Sequence, residues 1–214
     1  AIPLFILAAE FMNTGSIMDR LLHFCNAIVG RFRGGLAQVN VVQSVIFSSM
    51  SGSALADAAA SGKLMQTMMT RDGKYPPAFA AALTCVSSVI GPIIPPSIPL
   101  VLFALVSDTS VGYLFLGGVI PGVLLGAAQS GLIAAVAKRR NFPIEERVPL
   151  RELPRVTWEA LPALMMPVIL LGCMWSGMTT PTEAAAVAAA YALLLSVLLY
   201  RSVGMKDIYR SLAS

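Results

Sequence analysis

The chain has 214 residues, of which 57% are hydrophobic and only 12% are charged, and its formal net charge at pH 7 is +4. A soluble domain usually carries about 25% charged residues, so this composition indicates a membrane protein and argues against a soluble globular one. The basic residues stand at the ends of apolar runs instead of forming a stripe interleaved with aromatic side chains, and we therefore expect no nucleic-acid partner.

Residues 1–35 are expected to be the end of a spanning helix followed by an interfacial arm helix. Residues 1–12 are apolar but too few to cross a bilayer alone, because a spanning helix needs about 20 apolar residues. In residues 15–34, apolar side chains recur at helical spacing opposite polar ones, which favours a helix lying along the membrane interface. Since the chain opens inside an apolar run, without an initiator methionine, we expect it to be a fragment of a longer protein.

Residues 36–70 are predicted to form a re-entrant helical hairpin. Two apolar arms flank a polar tip at residues 48–53, and neither arm reaches the roughly 20 residues of a full span. Basic residues lie at both ends of the unit, so both ends are expected on the same side of the membrane. The amides of Gln38, Asn40 and Gln43 on the first arm are expected to hydrogen-bond across helices or to line a solute path.

Residues 77–107 are expected to form a discontinuous helix, broken between Gly91 and Pro99. The prolines of this stretch remove backbone donors and clash with the preceding turn, so a regular helix cannot continue. Backbone that leaves the helix at bilayer depth must be buried in protein or line a watery cavity. Two such breaks in one chain suggest a solute or ion site built from discontinuous helices. A simple structural kink is the alternative.

The third part of the chain, 113–214, is predicted to contain spanning helices and one linker. The uncharged run 113–137 is the clearest span. Residues 138–159 hold prolines and many charges, and are expected to be a cytoplasmic linker with a short surface helix. Further spans are expected at 161–175 and 184–200.

This layout predicts an all-α membrane protein, a multi-span helical bundle with a defined topology. It places all 15 Lys and Arg residues on one face of the membrane and puts Asp108 and Glu183 toward the other. Such a division is what the positive-inside rule expects of a multi-pass protein, and one wrong span would scatter the charges. The charge pattern therefore supports the topology.

The predicted tip at residues 48–53 carries four serine hydroxyls, a flexible glycine and backbone carbonyls. Oxygen ligands suit a hard cation, and hydroxyls and carbonyls without a fixed carboxylate suit a monovalent ion that is released in each cycle. The N-terminus of the following helix would attract an anionic solute. The alternative is close helix packing by small residues.

Asp57 stands one turn beyond this tip. An ionisable group at membrane depth is a candidate cation ligand, proton carrier or partner of a backbone amide, whereas compensation of the helix dipole is the structural alternative. An intramembrane hydrolase that uses Ser51 as its nucleophile is disfavoured, because no base is well placed in the sequence to activate the hydroxyl. We therefore expect no enzymatic activity.

Three stretches then carry a family resemblance, namely FSSMSGSALADAAA at 47–60, IGPIIPPSIP at 90–99 and SGMTTPTEAAAV at 176–187. Together with RGGLAQVN at 33–40, they closely resemble the large membrane (M) subunit of TRAP transporters, the tripartite ATP-independent periplasmic transporters of bacteria and archaea. The resemblance runs along essentially the whole chain in order.

The resemblance implies a sodium-driven importer of organic acids, such as C4-dicarboxylates or sialic acids, in the bacterial inner membrane. Its mechanism would be an elevator motion of a transport domain against a scaffold. A periplasmic binding protein (P subunit) would deliver the substrate, and a small four-helix membrane (Q) subunit would buttress the scaffold. Sodium would be the coupling ion, with no covalent cofactor. Residues 36–112 would belong to the transport domain.

Two sets of candidate site residues follow from the residue chemistry and this resemblance. The residues expected to bind sodium are Ser48, Ser49, Ser51, Ser53, Asp57, Gly91, Ile94 and Ser97. The residues expected to contact the substrate are Ser51, Gly52, Ser53, Pro95 and Pro96.

The chain departs from the family pattern in one respect. The family has N-terminal helices and a second, inverted copy with its own hairpin and Pro-Pro break, and neither is found in this sequence. We therefore expect the chain to hold at most half of an elevator-type transport site. An ion channel or proton-coupled carrier with a broken-helix site remains the alternative function, and a non-transporting membrane scaffold is the third.

Overall fold

The computed structural model describes residues 2–12, 15–140, 142–144, 149 and 151–199. Helices account for nearly all of these residues and no β-strand occurs among them, which confirms the predicted all-α class. Two of the helices are long and apolar enough to cross a membrane. The re-entrant placement of residues 36–70 and the elevator motion stay predictions.

Nine α-helices occur in the described part of the chain. They are α1 (Ile2–Met12), α2 (Gly15–Val29), α3 (Gly35–Ser51), α4 (Ala54–Thr70), α5 (Pro77–Ser88), α6 (Ile98–Ser107), α7 (Val111–Arg140), α8 (Leu153–Trp175) and α9 (Pro181–Leu194). A 3₁₀ turn at Arg71–Gly73 follows α4, and a π-helical segment at Leu195–Leu199 continues α9.

The predicted arm helix corresponds to α2, whose face toward the rest of the chain carries the buried side chains of Ile17, Leu21 and Cys25, while its position along the membrane interface stays a prediction. The helix ends at Val29, earlier than the sequence pattern predicted. The chain turns at this point, and Gly34 adopts a left-handed backbone (φ 75°) immediately before α3, a conformation that glycine adopts without strain.

The polar tip predicted at 48–53 is wrong in extent, because α3 remains helical through Ser51. Serine is tolerated there because its hydroxyl can bond within the helix, as Ser49 Oγ does by donating to the Ile46 carbonyl at 2.6 Å. Only Gly52 and Ser53 leave the helix. Gly52 is left-handed (φ 60°) and donates its N–H to the Ser48 carbonyl at 3.0 Å, which ends α3 and turns the chain into α4.

The predicted break between α5 and α6 is confirmed, although its boundaries shift. α5 ends at Ser88 and α6 begins at Ile98, so residues 89–97 are non-helical. Pro99 belongs to the first turn of α6, where a missing backbone N–H leaves no helical hydrogen bond unmade. The Pro95–Pro96 peptide bond is cis.

The two long helices agree with the predicted spans, whereas the link between them is shorter than expected. α7 extends through Arg140, and α8 is already helical from Leu153. The short surface helix expected within 138–159 is therefore the beginning of the second long helix. Asp108 ends α6 in a left-handed conformation (φ 54°).

The centre of the bundle is α3, which packs against α1, α2, α4, α5, α7 and α8. One apolar cluster joins α1, α8 and α9 to the tip end of α3 through Met50, and a second holds Ile90 and Ile94 against α3 and α7. These two clusters fix the α3–α4 turn and the α5–α6 break within one bundle. The outer faces of α6 and α7 expose large apolar side chains, such as Phe103 and Ile120.

Candidate functional site

The α3–α4 turn and the α5–α6 break meet in the structure. The backbone N–H of Ile98 donates to the Gly52 carbonyl at 3.4 Å. A Cβ atom on Gly52 would collide with the Pro96 carbonyl, and one on Gly91 would lie 3.0 Å from both Ser53 C and Ala54 N. Both glycines therefore allow a close approach of two backbones that a larger residue would prevent. We call this meeting point the junction.

Two helices begin at the junction, and each is capped by one of the predicted site residues. Ser53 Oγ accepts a hydrogen bond from Ala56 N at 3.3 Å at the start of α4, and Ser97 Oγ accepts one from Leu100 N at 3.3 Å at the start of α6. Such caps satisfy one of the free N–H groups of a helix N-terminus. The N-terminal ends of both helices carry partial positive charge, which favours an anionic group nearby.

The predicted sodium-binding hydroxyls differ in what their oxygens already contact. Ser48 is fully buried, and its Oγ has no hydrogen-bond partner among the described residues. Ser51 is also buried and accepts a long hydrogen bond of 3.5 Å from Ser53 N. Ser49 Oγ is turned back to the Ile46 carbonyl of its own helix. Ser48 thus fits a cation ligand best in this set, and Ser49 fits least.

The predicted residues within the break have different surroundings. Pro96 and Gly91 contact the turn. Ser97 Oγ donates to the Pro92 carbonyl at 2.6 Å, so its hydroxyl also holds the shape of the break. Ile94 packs instead into the apolar cluster against α7, so a ligand role is left only to its backbone carbonyl.

Asp57 lies on α4, one turn from the junction, and its side chain is only 1% exposed. Ser61 Oγ donates to the Asp57 backbone carbonyl at 2.9 Å and also to Oδ1. Among the residues that the structure describes, Asp57 Oδ2 has no hydrogen-bond partner and the carboxylate forms no ion pair. A buried carboxyl group in this state requires either a proton or a cation, because an isolated buried charge is very costly.

Asp57 belongs to a chain of buried polar residues, of which Ser44, Ser61 and Ser87 were not predicted as site residues, whereas Asn40 was expected to hydrogen-bond across helices or to line a solute path. Asn40 Nδ2 donates to Ser87 Oγ at 2.8 Å, and Ser44 Oγ donates to the same oxygen at 3.1 Å. The Ser44 hydroxyl also lies beside the Asp57 carboxyl group. We call Asn40, Ser44, Asp57, Ser61 and Ser87 the buried polar cluster.

A signal for this cluster exists in the sequence. Asn40, Ser44 and Ser48 recur every four residues, which places them on one face of α3. Asp57 and Ser61 have the same spacing on α4. The spacing identifies the polar faces, but it does not say that α5 covers them.

The two glutamines of the first arm hydrogen-bond to neighbouring helices, which is the first of the two alternatives predicted for their side chains. Gln38 Nε2 donates to the Ser130 carbonyl of α7 at 2.9 Å, and Gln43 Nε2 donates to Met18 Sδ of α2 at 2.9 Å. No group of three or more His, Cys, Asp or Glu side chains suited to a metal ion occurs in the part of the chain that the structure describes.

Comparison with known proteins gives a match along the entire chain. Residues 1–214 match the family model described as the tripartite ATP-independent periplasmic transporter, DctM component.

Individual relatives cover the chain in the same way. The sialic acid TRAP transporter large permease protein SiaM of Vibrio cholerae is 43% identical over 206 residues, which are 96% of the chain and 48% of that protein. The C4-dicarboxylate TRAP transporter large permease protein DctM of Pseudomonas aeruginosa is 44% identical over 97% of the chain and 48% of its own length. The 2,3-diketo-L-gulonate TRAP transporter large permease protein YiaN of Escherichia coli is 40% identical over 99% of the chain and 50% of its own length. The chain thus spans about half the length of these relatives.

Proposed function

Because the chain belongs to the DctM component family of tripartite ATP-independent periplasmic transporters, we propose that it forms part of the permease of a sodium-coupled importer of organic acids. The observation that carries the proposal is the junction, where the Gly52 carbonyl meets the backbone N–H of Ile98. Broken helices that meet at one point supply the free backbone groups from which secondary transporters build their binding sites.

The substrate is an organic acid whose carboxylate lies at the junction. The names of three relatives specify sialic acid, C4-dicarboxylate and 2,3-diketo-L-gulonate, and each of these solutes carries a carboxylate group. The N-termini of α4 and α6 both begin at the junction, where their partial positive charges favour an anion. Ser51, Gly52, Ser53, Pro95 and Pro96 are the proposed contact residues.

The coupling ion is sodium, bound beside the substrate. Ser48 Oγ and Asp57 Oδ2 are buried oxygen atoms without a hydrogen-bond partner among the described residues, and a hard monovalent cation would satisfy both kinds of oxygen. Ser51, Ser53, Gly91, Ile94 and Ser97 remain proposed ligands through hydroxyl or carbonyl oxygens. Ser49 is the weakest of the proposed ligands, because its hydroxyl proton already bonds within α3.

The complete importer requires more than this chain. We propose that residues 36–70 form a re-entrant hairpin and that an elevator motion carries it across the membrane. A small membrane subunit supports the permease in the inner membrane, and a periplasmic binding protein delivers the substrate. Large apolar side chains are exposed on α6 and α7, and patches of this kind mark contacts with membrane or protein. We therefore place lipid or further helices against these faces.

A proton-coupled carrier is the second candidate, and one observation favours it. Asp57 is buried without a cationic partner among the described residues, and a proton would neutralise it as well as sodium would. Imposing a sodium gradient and a proton gradient separately distinguishes the two candidate coupling ions.

The test uses proteoliposomes that hold the complete parent complex and its binding protein. Uptake of a labelled organic acid is measured with an inward sodium gradient at equal pH on both sides, and then with an inward proton gradient without sodium. The proposal requires uptake only with the sodium gradient. Uptake driven by the proton gradient alone would establish the second candidate in its place.

A further inference from the structure

A groove of about 740 Å³ opens at the end of the bundle opposite the junction along α3. Its walls come from the α2–α3 turn, from the first half of α3 and from the last part of α7. Val29, Val42 and Ala134 make the interior apolar, and Arg33 and Lys138 stand in its lining. The groove is separate from the junction residues and from the buried polar cluster.

Among the residues that the structure describes, the cationic side chains of this groove have no anionic partner. Arg33 and Lys138 are exposed, and neither forms an ion pair with any residue in the described ranges. The guanidinium of Arg31 lies 5.3 Å from the ring centre of Phe32, which also lines the groove, so a third positive charge lies close by. The groove therefore combines a concentrated positive charge with an apolar interior.

The floor of the groove is open and its polar backbone is satisfied. A Cβ atom on Gly131 would meet no other atom within 4 Å, so the space above this residue is free. The neighbouring Ser130 carbonyl accepts a hydrogen bond from Gln38 Nε2 at 2.9 Å. An apolar chain can therefore displace water from the groove without burying an unsatisfied backbone carbonyl at Ser130.

We propose that this groove binds one anionic phospholipid, with its phosphate between Arg33 and Lys138 and an acyl chain along Val42, Gly131 and Ala134. Lys138 belongs to the basic end of α7, which the positive-inside rule places on the cytoplasmic side. Basic pockets between membrane helices on that side bind anionic headgroups. The positive charge favours such a lipid over an apolar helix of another protein. This proposal depends on the membrane location of the chain and is independent of sodium coupling.

The test is native mass spectrometry of the full-length parent protein with its subunits, titrated with phosphatidylglycerol or phosphatidylcholine. Phosphatidylglycerol is expected to bind more tightly. The double variant Arg33→Gln/Lys138→Gln should weaken phosphatidylglycerol binding about 30-fold, at about 1 kcal/mol for each basic side chain and about 1.4 kcal/mol for each tenfold change. Replacing Lys63 and Arg71, two exposed basic residues elsewhere, is the matched control and should leave binding unchanged.

A second pair of variants tests the apolar part without altering charge. Gly131→Leu fills the groove and should remove the bound lipid. Gly117→Leu is its control, because Gly117 lies on the same helix and a Cβ there also meets nothing within 4 Å. Wild-type phosphatidylglycerol binding by both groove variants would overturn the proposal. Displacement of the lipid by inorganic phosphate alone would also overturn it, since the site would then bind a small anion.

Discussion

The backbone carbonyl of Gly52 accepts a hydrogen bond of 3.4 Å from the backbone N–H of Ile98. This contact joins the turn between α3 and α4 to the first residue of α6, so two interruptions that lie far apart in the sequence are adjacent in space. A ligand bound there would contact both segments. Movement of one segment would consequently alter the site, as coupled transport of two solutes requires.

Gly52→Ala should destabilise the protein more than an alanine at another left-handed glycine. Any Cβ atom in this conformation costs about 1–2 kcal/mol, and at position 52 it also collides with the Pro96 carbonyl. Gly73→Ala is the matched control, because Gly73 has φ 69° but no atom within 4 Å of the added Cβ. The midpoint of thermal unfolding should fall further for Gly52→Ala. Equal shifts would show that the contact with Pro96 is unimportant.

Asp57→Asn should abolish stabilisation of the parent protein by sodium. The substitution keeps the shape of the side chain and removes the buried charge, for which the structure describes no cationic partner. In the wild type, an ion that binds only the folded state raises the unfolding temperature with its concentration. Thermal unfolding in sodium chloride and in choline chloride measures the effect. Sodium stabilisation that survives in Asp57→Asn would remove Asp57 from the set of ligands.

The hydrogen bond between Asn40 and Ser87 should contribute measurable coupling between α3 and α5. A double-mutant cycle of Asn40→Ala and Ser87→Ala should give a coupling energy of about 0.6–2 kcal/mol, the range found for polar pairs between membrane helices. Ser88 serves as the control partner, since its hydroxyl donates to the Cys85 carbonyl of its own helix. The free energy of unfolding in lipid bicelles is the quantity to measure. A similar coupling energy for both pairs would contradict the assignment.

The predicted topology can be tested by labelling cysteines introduced at exposed positions. Lys63→Cys and Ser110→Cys both place the thiol on exposed parts of the chain. In a background without the native cysteines, a membrane-impermeant maleimide should reach position 63 from the cytoplasmic side and position 110 from the periplasmic side. Labelling of both positions from one side would exclude the predicted arrangement of residues 36–112.

The sequence carried enough information to predict the helices and the two interruptions, because glycine and proline act on the local backbone. The break before Pro99 and the long apolar helix α7 follow from such local rules. The family resemblance read from three stretches is confirmed by the match over the whole chain.

The extent of the tip and the surroundings of Asp57 could not be predicted in the same way. Ser48 and Ser49 suggested a break, yet a serine hydroxyl can bond within a helix and so permits either outcome. The contact of Asp57 with Ser44 depends on which helices pack together. Tertiary packing also brings α5 next to these residues, and the sequence pattern does not predict that neighbour. Periodicity gives the face of a helix, whereas its neighbour is decided by packing of the whole bundle.

The most direct test of a sodium site at the junction compares Ser48→Ala with Ser49→Ala in proteoliposomes of the complete parent complex. The two serines are adjacent, but only Ser48 Oγ lacks a hydrogen-bond partner among the described residues. A contact with a charged group contributes about 1.5–3 kcal/mol, so Ser48→Ala should raise the half-saturating sodium concentration for uptake by about tenfold or more. Ser49→Ala should change it less than about twofold, because its hydroxyl bonds only within α3. Equal shifts in the two variants, or uptake that does not depend on sodium, would contradict the sodium site.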